Sequence, residues 1–224
     1  MLLQPPRTKR LKRRQSRLRP LLFRIAGVIA VLVLIEVGTR GCVDSVTSRS
    51  IHSRTVGVGD VDVASGDAPT ALRYWVLGGL QNGSVTMHDI VAVPVSISAL
   101  EVKAEDLRFS RTKLLTGKAD LTGSAPYRTT LYLSPKNLGS YLNATVRFQS
   151  NHLVATIEGH SMNVVPKLKG RSIVIEDERF TYEVPLPSRA YLPCKPDAMG
   201  VGNGIAVSCQ SDVLPPFVAA AATR

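Results

Sequence analysis

The sequence has few aromatic residues, which make up 5% of its 224 residues, and Trp75 is the single tryptophan. Proteins that bind sugars or single-stranded nucleic acid by stacking need exposed aromatic side chains. Trp75 is better explained as a packed residue on the apolar face of a helix. The composition therefore argues against both kinds of binding protein.

Catalytic and metal-binding patterns are also scarce. The four histidines, His52, His88, His152 and His160, lack the spacing of a metal-binding helix and have no cysteine nearby in the sequence. Ser110 and Lys113 match the S-x-x-K pattern, but Ser110 ends a strand-like run and no K-T-G follows. We expect a protein that is not an enzyme and needs no metal or cofactor.

Acidic residues are absent before Glu36, whereas nine lysines and arginines precede Ile25. The eleven residues from Ile25 to Ile35 carry no polar side chain, as in an export signal or a membrane anchor. By the positive-inside rule the N-terminus stays in the cytoplasm. We predict a basic leader over 1–24, a signal anchor over 25–38, a polar linker over 39–55 and an exported domain over 56–224. An uncleaved single-pass anchor is favoured, since no A-x-A site follows.

The net charge of +11 resides almost entirely in this leader. Beyond residue 40, 18 lysines and arginines face 16 acids, so the exported domain is nearly neutral. The basic leader is better suited to topology and to anionic lipid headgroups than to nucleic acid. We expect a membrane partner and no nucleic acid.

Three cysteines occur, at positions 42, 194 and 209. In an oxidising exterior, Cys194 and Cys209 are a natural disulfide pair that closes a loop of about 15 residues. Cys42 is expected to be free or paired between molecules.

Short apolar runs dominate after residue 55. A strand with a bulge at Gly59 is predicted first, and then a helix from Asp67 or Thr70 whose stripe runs through Leu72, Trp75, Val76 and Leu80. Ser134 and Pro135 start a second helix, and Pro215 and Pro216 begin a third or a frayed tail. The predicted strands cover residues 91–97, 100–109, 127–133, 144–149, 153–158, 162–168, 172–176, 180–186 and 204–209. Residues 191–203 are predicted to form a loop.

Most of these strands alternate apolar with polar residues, which is typical of antiparallel sheets with one dry face. Two or three short helices cannot cover so many strands, so the sheet closes on itself or curls round something else. We predict a mainly β, α+β fold, with an N-terminal membrane helix followed by an antiparallel sheet and a few short helices.

The order of several segments resembles the actinobacterial LmeA-like family of exported or membrane-anchored phospholipid-binding proteins. The resemblance spans residues 56–216 and rests on four patterns: 71–79 (ALRYWVLGG), 107–117 (LRFS…LLTG), 132–138 (YLSPKNL) and 192–216 (LPCKP…SC…LPP). It implies a curved antiparallel sheet wrapped against helices, as in tubular lipid-binding domains. It also implies phospholipid or glycolipid as ligand, and a role in envelope lipoglycan synthesis, where glycosyltransferases would be partners.

On this basis we expect acyl chains to lie against the dry face of the sheet. The expected groove lining consists of apolar residues that could equally be plain core: Leu72, Trp75, Val76, Val93, Val95, Leu114, Leu115, Leu131, Leu138 and Leu142. Headgroup contacts are expected from four basic residues on Coulombic grounds: Arg73, Arg108, Arg111 and Lys113. The alternative is a structural or interaction module tethered to the membrane that docks envelope enzymes through its edge strands.

Overall fold

The computed structural model describes residues 29–42, 44–45, 48–49, 52, 57–64, 79–108, 124–157 and 159–223. The described part is mainly β, with short helices, as predicted. Its strands are β1 (Val61–Ala64), β2 (Gly79–Ile90), β3 (Ile97–Arg108), β4 (Ser124–Leu133), β5 (Ala144–Gln149), β6 (His152–Ile157), β7 (His160–Val164), β8 (Lys167–Lys169), β9 (Ser172–Glu176), β10 (Thr181–Pro185), β11 (Ala198–Val201) and β12 (Ile205–Ser211).

Every strand pairing is antiparallel, and the largest sheet has six strands in the order β1-β2-β3-β4-β12-β11. One row of side chains crosses its centre in register: Met87, Leu100, Leu131 and Val207. All four are 0% exposed. The alternation of apolar and polar residues in β4 produces this face, because successive side chains point to opposite sides of a strand.

Two smaller sheets have three strands each, β5-β6-β7 and β10-β9-β8. Leu153, Met162, Ile173 and Ile175 from these sheets belong to the same buried core as the six-stranded sheet. Residues 162–168 were predicted as one strand but form the end of β7 and the start of β8, in different sheets. Pro166 between them cannot donate to a ladder, which explains the break.

Helix α1 (Pro135–Leu142) begins where the sequence predicted. The Ser134 hydroxyl accepts a hydrogen bond from the Asn137 backbone N–H at 3.2 Å, and Pro135 occupies the first turn. Helix α2 (Pro216–Thr223) confirms the helical alternative for the tail. The rings of Tyr191 and Phe217 lie 4.7 Å apart and join α2 to the preceding loop.

The predicted strand over 91–97 is wrong. Residues 91–96 form the loop between β2 and β3, and Val91 and Val93 are exposed while Val95 and Ile97 are buried. Pro94 cannot pair in a ladder, and the alternating valines around it imitate a strand pattern. The predicted change of phase is confirmed, since Ile97 and Leu100 are both buried although they lie three residues apart.

The start of β2 is also different from the prediction. The helical stripe was expected to reach Leu80, but Gly79 and Leu80 already pair with Arg108 and Leu107 of β3. The rest of that predicted helix lies outside the described residues. The bulge predicted at Gly59 is confirmed, because Gly59 N–H donates to the His88 carbonyl while His88 N–H donates to Asp60.

The predicted disulfide joins Cys194 to Cys209. The loop predicted over 191–203 contains an edge strand, β11, which pairs with β12 because the bridge holds the two segments side by side. Arg171 fixes the same loop, since its guanidinium donates to the carbonyl oxygens of Pro187 at 2.7 Å and of Leu192 and Cys194 at 3.1 Å.

Residues 29–42 form a helix at the N-terminal side of the described chain, called the N-terminal helix below. Its apolar side chains between Ile29 and Val37 keep from 49% to 70% of their surface exposed. In the part of the chain that the structure describes, no helix has both the length and the apolar character needed to cross a membrane. Residues 25–28 of the predicted anchor lie outside that part.

Replacing both Cys194 and Cys209 by serine is expected to lower the free energy of unfolding by about 3 kcal/mol, because their loop of 15 residues gains conformational freedom in the unfolded chain. Urea unfolding under oxidising conditions measures the change. Cys42→Ser, at an exposed free cysteine, is the control and should leave the midpoint unchanged. Equal stability of the double variant would contradict the prediction.

Thr129 is fully buried between Val102 and Cys209, and its hydroxyl has no hydrogen-bond partner among the described residues. Thr129→Val removes that unpaired polar group at nearly constant shape, so we expect stability to rise by about 1 kcal/mol. Thr130→Val, on the opposite face of β4, is the matched control. A clear loss of stability in the Thr129 variant would mean that the hydroxyl is hydrogen-bonded after all.

Candidate functional site

The residues predicted to line a groove fall into three groups. Leu131 and Leu138 are 0% exposed and Val95 is 1% exposed, so they belong to the packed core, and Leu142 packs against that core. Val93 is 84% exposed and is not part of that core. The remaining five lie outside the described residues: Leu72, Trp75, Val76, Leu114 and Leu115.

The residues predicted to contact a headgroup are mostly outside the described residues as well. Arg73, Arg111 and Lys113 belong to this group. Arg108 ends β3 opposite Gly79 of β2, and only its backbone is described.

Most of these residues belong, in the sequence, to two connections whose flanking strand ends meet at one end of the six-stranded sheet. Because neighbouring strands are antiparallel, the end of β1 at Ala64, the start of β2, the end of β3 and the start of β4 share that end. The two connections that leave and re-enter there, 65–78 and 109–123, contain eight of the fourteen predicted site residues. We call this the Ala64 end, and the opposite end, where the 91–96 loop lies, the Pro94 end.

The apolar face of the sheet continues from the central row towards the Ala64 end. Beyond the central row, Val85, Val102 and Thr129 form a second buried row, and Ala104 and Tyr127 form a third. Tyr127 is 4% exposed, and burial raises the pKa of its phenol. The described apolar face therefore extends from the central row towards the Ala64 end as far as Ala104 and Tyr127.

The Pro94 end carries open clefts whose lining is more polar than the apolar face of the sheet. The first cleft has a volume of about 690 Å³ and lies between helical residues of the 45–52 segment and strands β1 and β2. His88 Nε2 lies 3.1 Å from Asp62 Oδ2 in it, and the Ser48 hydroxyl donates to the Val61 carbonyl. Arg49, His52, Asp60 and Asp89 complete its charged lining. Over the described ranges, no cluster of histidine, cysteine and acidic side chains is arranged to hold a metal ion.

Two further clefts at this end are lined more by backbone and apolar atoms. One of about 380 Å³ lies between the 91–96 loop and α1, and includes Lys136 and Tyr141. The other, of about 460 Å³, lies between the end of β4 and the β11–β12 turn. Gly204 in that turn approaches the Leu133 carbonyl so closely that an added Cβ would lie 2.6 Å from its oxygen.

A charged contact that the sequence did not predict joins β7 to the β9–β10 turn. His160 Nε2 lies 2.8 Å from Asp177 Oδ2, and Asp177 Oδ1 accepts from the backbone N–H groups of Arg179 and Phe180. The hydrogen bond from His160, and then those two N–H groups, lower the pKa of Asp177 to about 2. Spacing alone could not pair residues 17 positions apart, although the gap between the predicted strands 172–176 and 180–186 indicated a connection there.

Comparison with protein-family models, with curated proteins and with solved structures found no match to this chain.

The low pKa of Asp177 predicts a pH dependence of stability. Because the folded pKa lies below its ordinary value of 3.8, the ionised carboxylate stabilises the fold above that value, and the contribution is lost as pH falls towards about 2. Asp177→Asn keeps an oxygen for the turn but loses the charge. The difference in urea midpoint between the native protein and this variant should shrink on acidification.

Glu178→Gln, in the same turn, provides the control, because Glu178 is exposed and should contribute little. A difference for Asp177→Asn that stayed constant over this pH range would contradict the assignment of the low pKa to Asp177.

Proposed function

We propose that this chain is a membrane-attached protein of the cell envelope that binds phospholipid or lipid-linked glycan in an apolar groove. The bound lipid would be used in envelope lipid or lipoglycan synthesis or transfer, with glycosyltransferases of the envelope as partners. The function is binding, without catalysis, metal or cofactor.

The observation that carries this proposal is the location of the two long connections. Residues 65–78 and 109–123 both join strand ends at the Ala64 end, and the described apolar face extends towards that end as far as Ala104 and Tyr127. Apolar side chains of those connections, such as Leu72 and Leu115, together with that face could enclose acyl chains. Each buried methylene would contribute about 0.8 kcal/mol. Arg108 ends β3 at the Ala64 end, and Arg73, Arg111 and Lys113 belong in the sequence to the two connections. We propose that these four basic residues contact an anionic headgroup.

Membrane attachment is supported by the N-terminal helix. Its apolar side chains are exposed to an extent that is unfavourable in water. The leader over residues 1–24, which precedes it in the chain, is strongly basic. We propose a single-pass anchor that includes this helix, with the leader in the cytoplasm and the β domain outside.

A second candidate is the non-enzymatic interaction module that docks envelope enzymes. The complete burial of Leu131 and Leu138 favours it, because the described centre of the sheet is filled by the protein's own side chains. In that case the apolar face of the sheet is covered by the protein's own side chains, and no acyl chain binds to it.

Lipid extraction from the full chain, purified in mild detergent after export, tests the choice. Leu72→Asp and Leu115→Asp place a carboxylate in each connection, and burying an unpaired charge beside an acyl chain costs several kcal/mol. We expect each variant to retain less than about a tenth of the co-purified lipid. Native mass spectrometry would identify the lipid class in the unmodified protein.

Val165→Asp is the matched control, since Val165 is an exposed apolar residue between β7 and β8, outside the six-stranded sheet, and its variant should retain the lipid. Leu138 is not a suitable site for this test, because a charge at a fully buried position would unfold the domain. A folded, lipid-free native protein that takes up no added phospholipid would favour the interaction module instead.

A further inference from the structure

The loop over residues 91–96 presents an apolar tip. Val91 and Val93 are 72% and 84% exposed, and Pro94 between Val93 and Val95 is exposed as well. Ala92 and Val95 of the same loop are buried in the core. The inward residues therefore fasten the loop to the domain while the outward ones form a small hydrophobic surface.

This tip is held in place from both sides. The Val91 backbone N–H donates to the Gly57 carbonyl at 2.9 Å, and the side-chain amide of Asn137 in α1 donates to the Ser96 carbonyl at 2.7 Å. The loop is buried at its base and hydrogen-bonded at its ends, and covering its two exposed valines would gain about 25 cal/mol for each Å² of apolar surface removed from water. The apolar tip is thus a fixed feature of the surface that a partner can cover without rearranging it.

The chain segment that follows the N-terminal helix indicates what that partner is. Ser48, Arg49 and His52, which follow this helix in the chain, line one cleft with Asp60, His88 and Asp89 at the Pro94 end. Asp89 is separated from Val91 by one residue. The chain that comes from the N-terminal helix therefore joins the domain directly beside the apolar tip.

We propose that Val91, Val93 and Pro94 insert into the interface of the same lipid bilayer that holds the N-terminal helix. The inference rests on the membrane attachment proposed above. The tether keeps the tip close to the bilayer at a high effective concentration, which a separate protein would not have. Apolar side chains of interfacial segments lie about 5–10 Å deep, at the boundary between headgroups and acyl chains.

Charges around the tip define how it binds. Lys136 and Tyr141 of α1 line the adjoining cleft, and both side-chain types suit the headgroup region. Asp60, Asp62 and Asp89 lie with Arg49, His52 and His88 in the neighbouring cleft. Their acidic charge is nearly balanced by Arg49 and Lys136, so the net electrostatic interaction with anionic lipid is small. Insertion is therefore driven by the apolar side chains and should be insensitive to salt.

The test uses the full chain, reconstituted into vesicles of phosphatidylcholine and phosphatidylglycerol in equal amounts. In a Cys42→Ser background, Val91→Cys, Val93→Cys and Val213→Cys are labelled separately with an environment-sensitive fluorophore, without reductant so that the Cys194–Cys209 bridge remains. Val213 is an exposed valine that follows β12 at the Ala64 end, so it reports the opposite end of the sheet.

Labels at 91 and 93 are expected to show blue-shifted emission and several-fold stronger quenching by headgroup-labelled spin lipid than the label at 213, at low and high salt alike. Equal quenching at 93 and 213 in protein that floats with the vesicles would overturn the membrane contact and leave the anchor intact. Protein that fails to float would overturn both the anchor and this inference. Shielding of position 93 that needs an added envelope protein would also count against the bilayer as partner.

Discussion

The central row of Met87, Leu100, Leu131 and Val207 is the constraint on which the rest of the structure depends. It joins β2, β3, β4 and β12 by burying one side chain from each strand at 0% exposure. A shift of one residue in any of these strands would move its apolar side chains to the wet face, so the register is strongly specified. Both ends of the sheet, with their different surfaces, are positioned by this row.

The two ends differ because the chain connects them differently. At the Ala64 end, the long connections 65–78 and 109–123 carry most of the residues expected to contact lipid. At the Pro94 end, the six-residue loop after Ile90 is held by Gly57 and Asn137 and exposes two valines. In the proposed arrangement the second end faces the membrane and the first faces away, so that a lipid held at the Ala64 end would be removed from the bilayer plane.

The disulfide and Arg171 stabilise a described segment that has few regular hydrogen bonds. Residues 186–197 contain three prolines and no strand, so they have little backbone pairing of their own. The bridge to Cys209 attaches this segment to β12, and the guanidinium of Arg171 satisfies three of its carbonyl groups. The edge strand β11 can then pair with β12 in spite of a sequence that favours a loop.

Local chemistry determined what the sequence alone could predict. The Ser134–Pro135 start of α1, the bounds of β5 and β9, the Gly59 bulge and the cysteine pair all follow from interactions within a few residues or from simple pairing of like groups. Tertiary structure decided the rest. The alternating apolar residues at 91–97 fit a strand or a loop equally well. Only the pairing of β2 with β3 placed residues 91–96 in a loop and left Val91 and Val93 exposed. Leu131 and Leu138 were apolar enough for a groove or a core, and packing from other sheets, which no local pattern encodes, buried them.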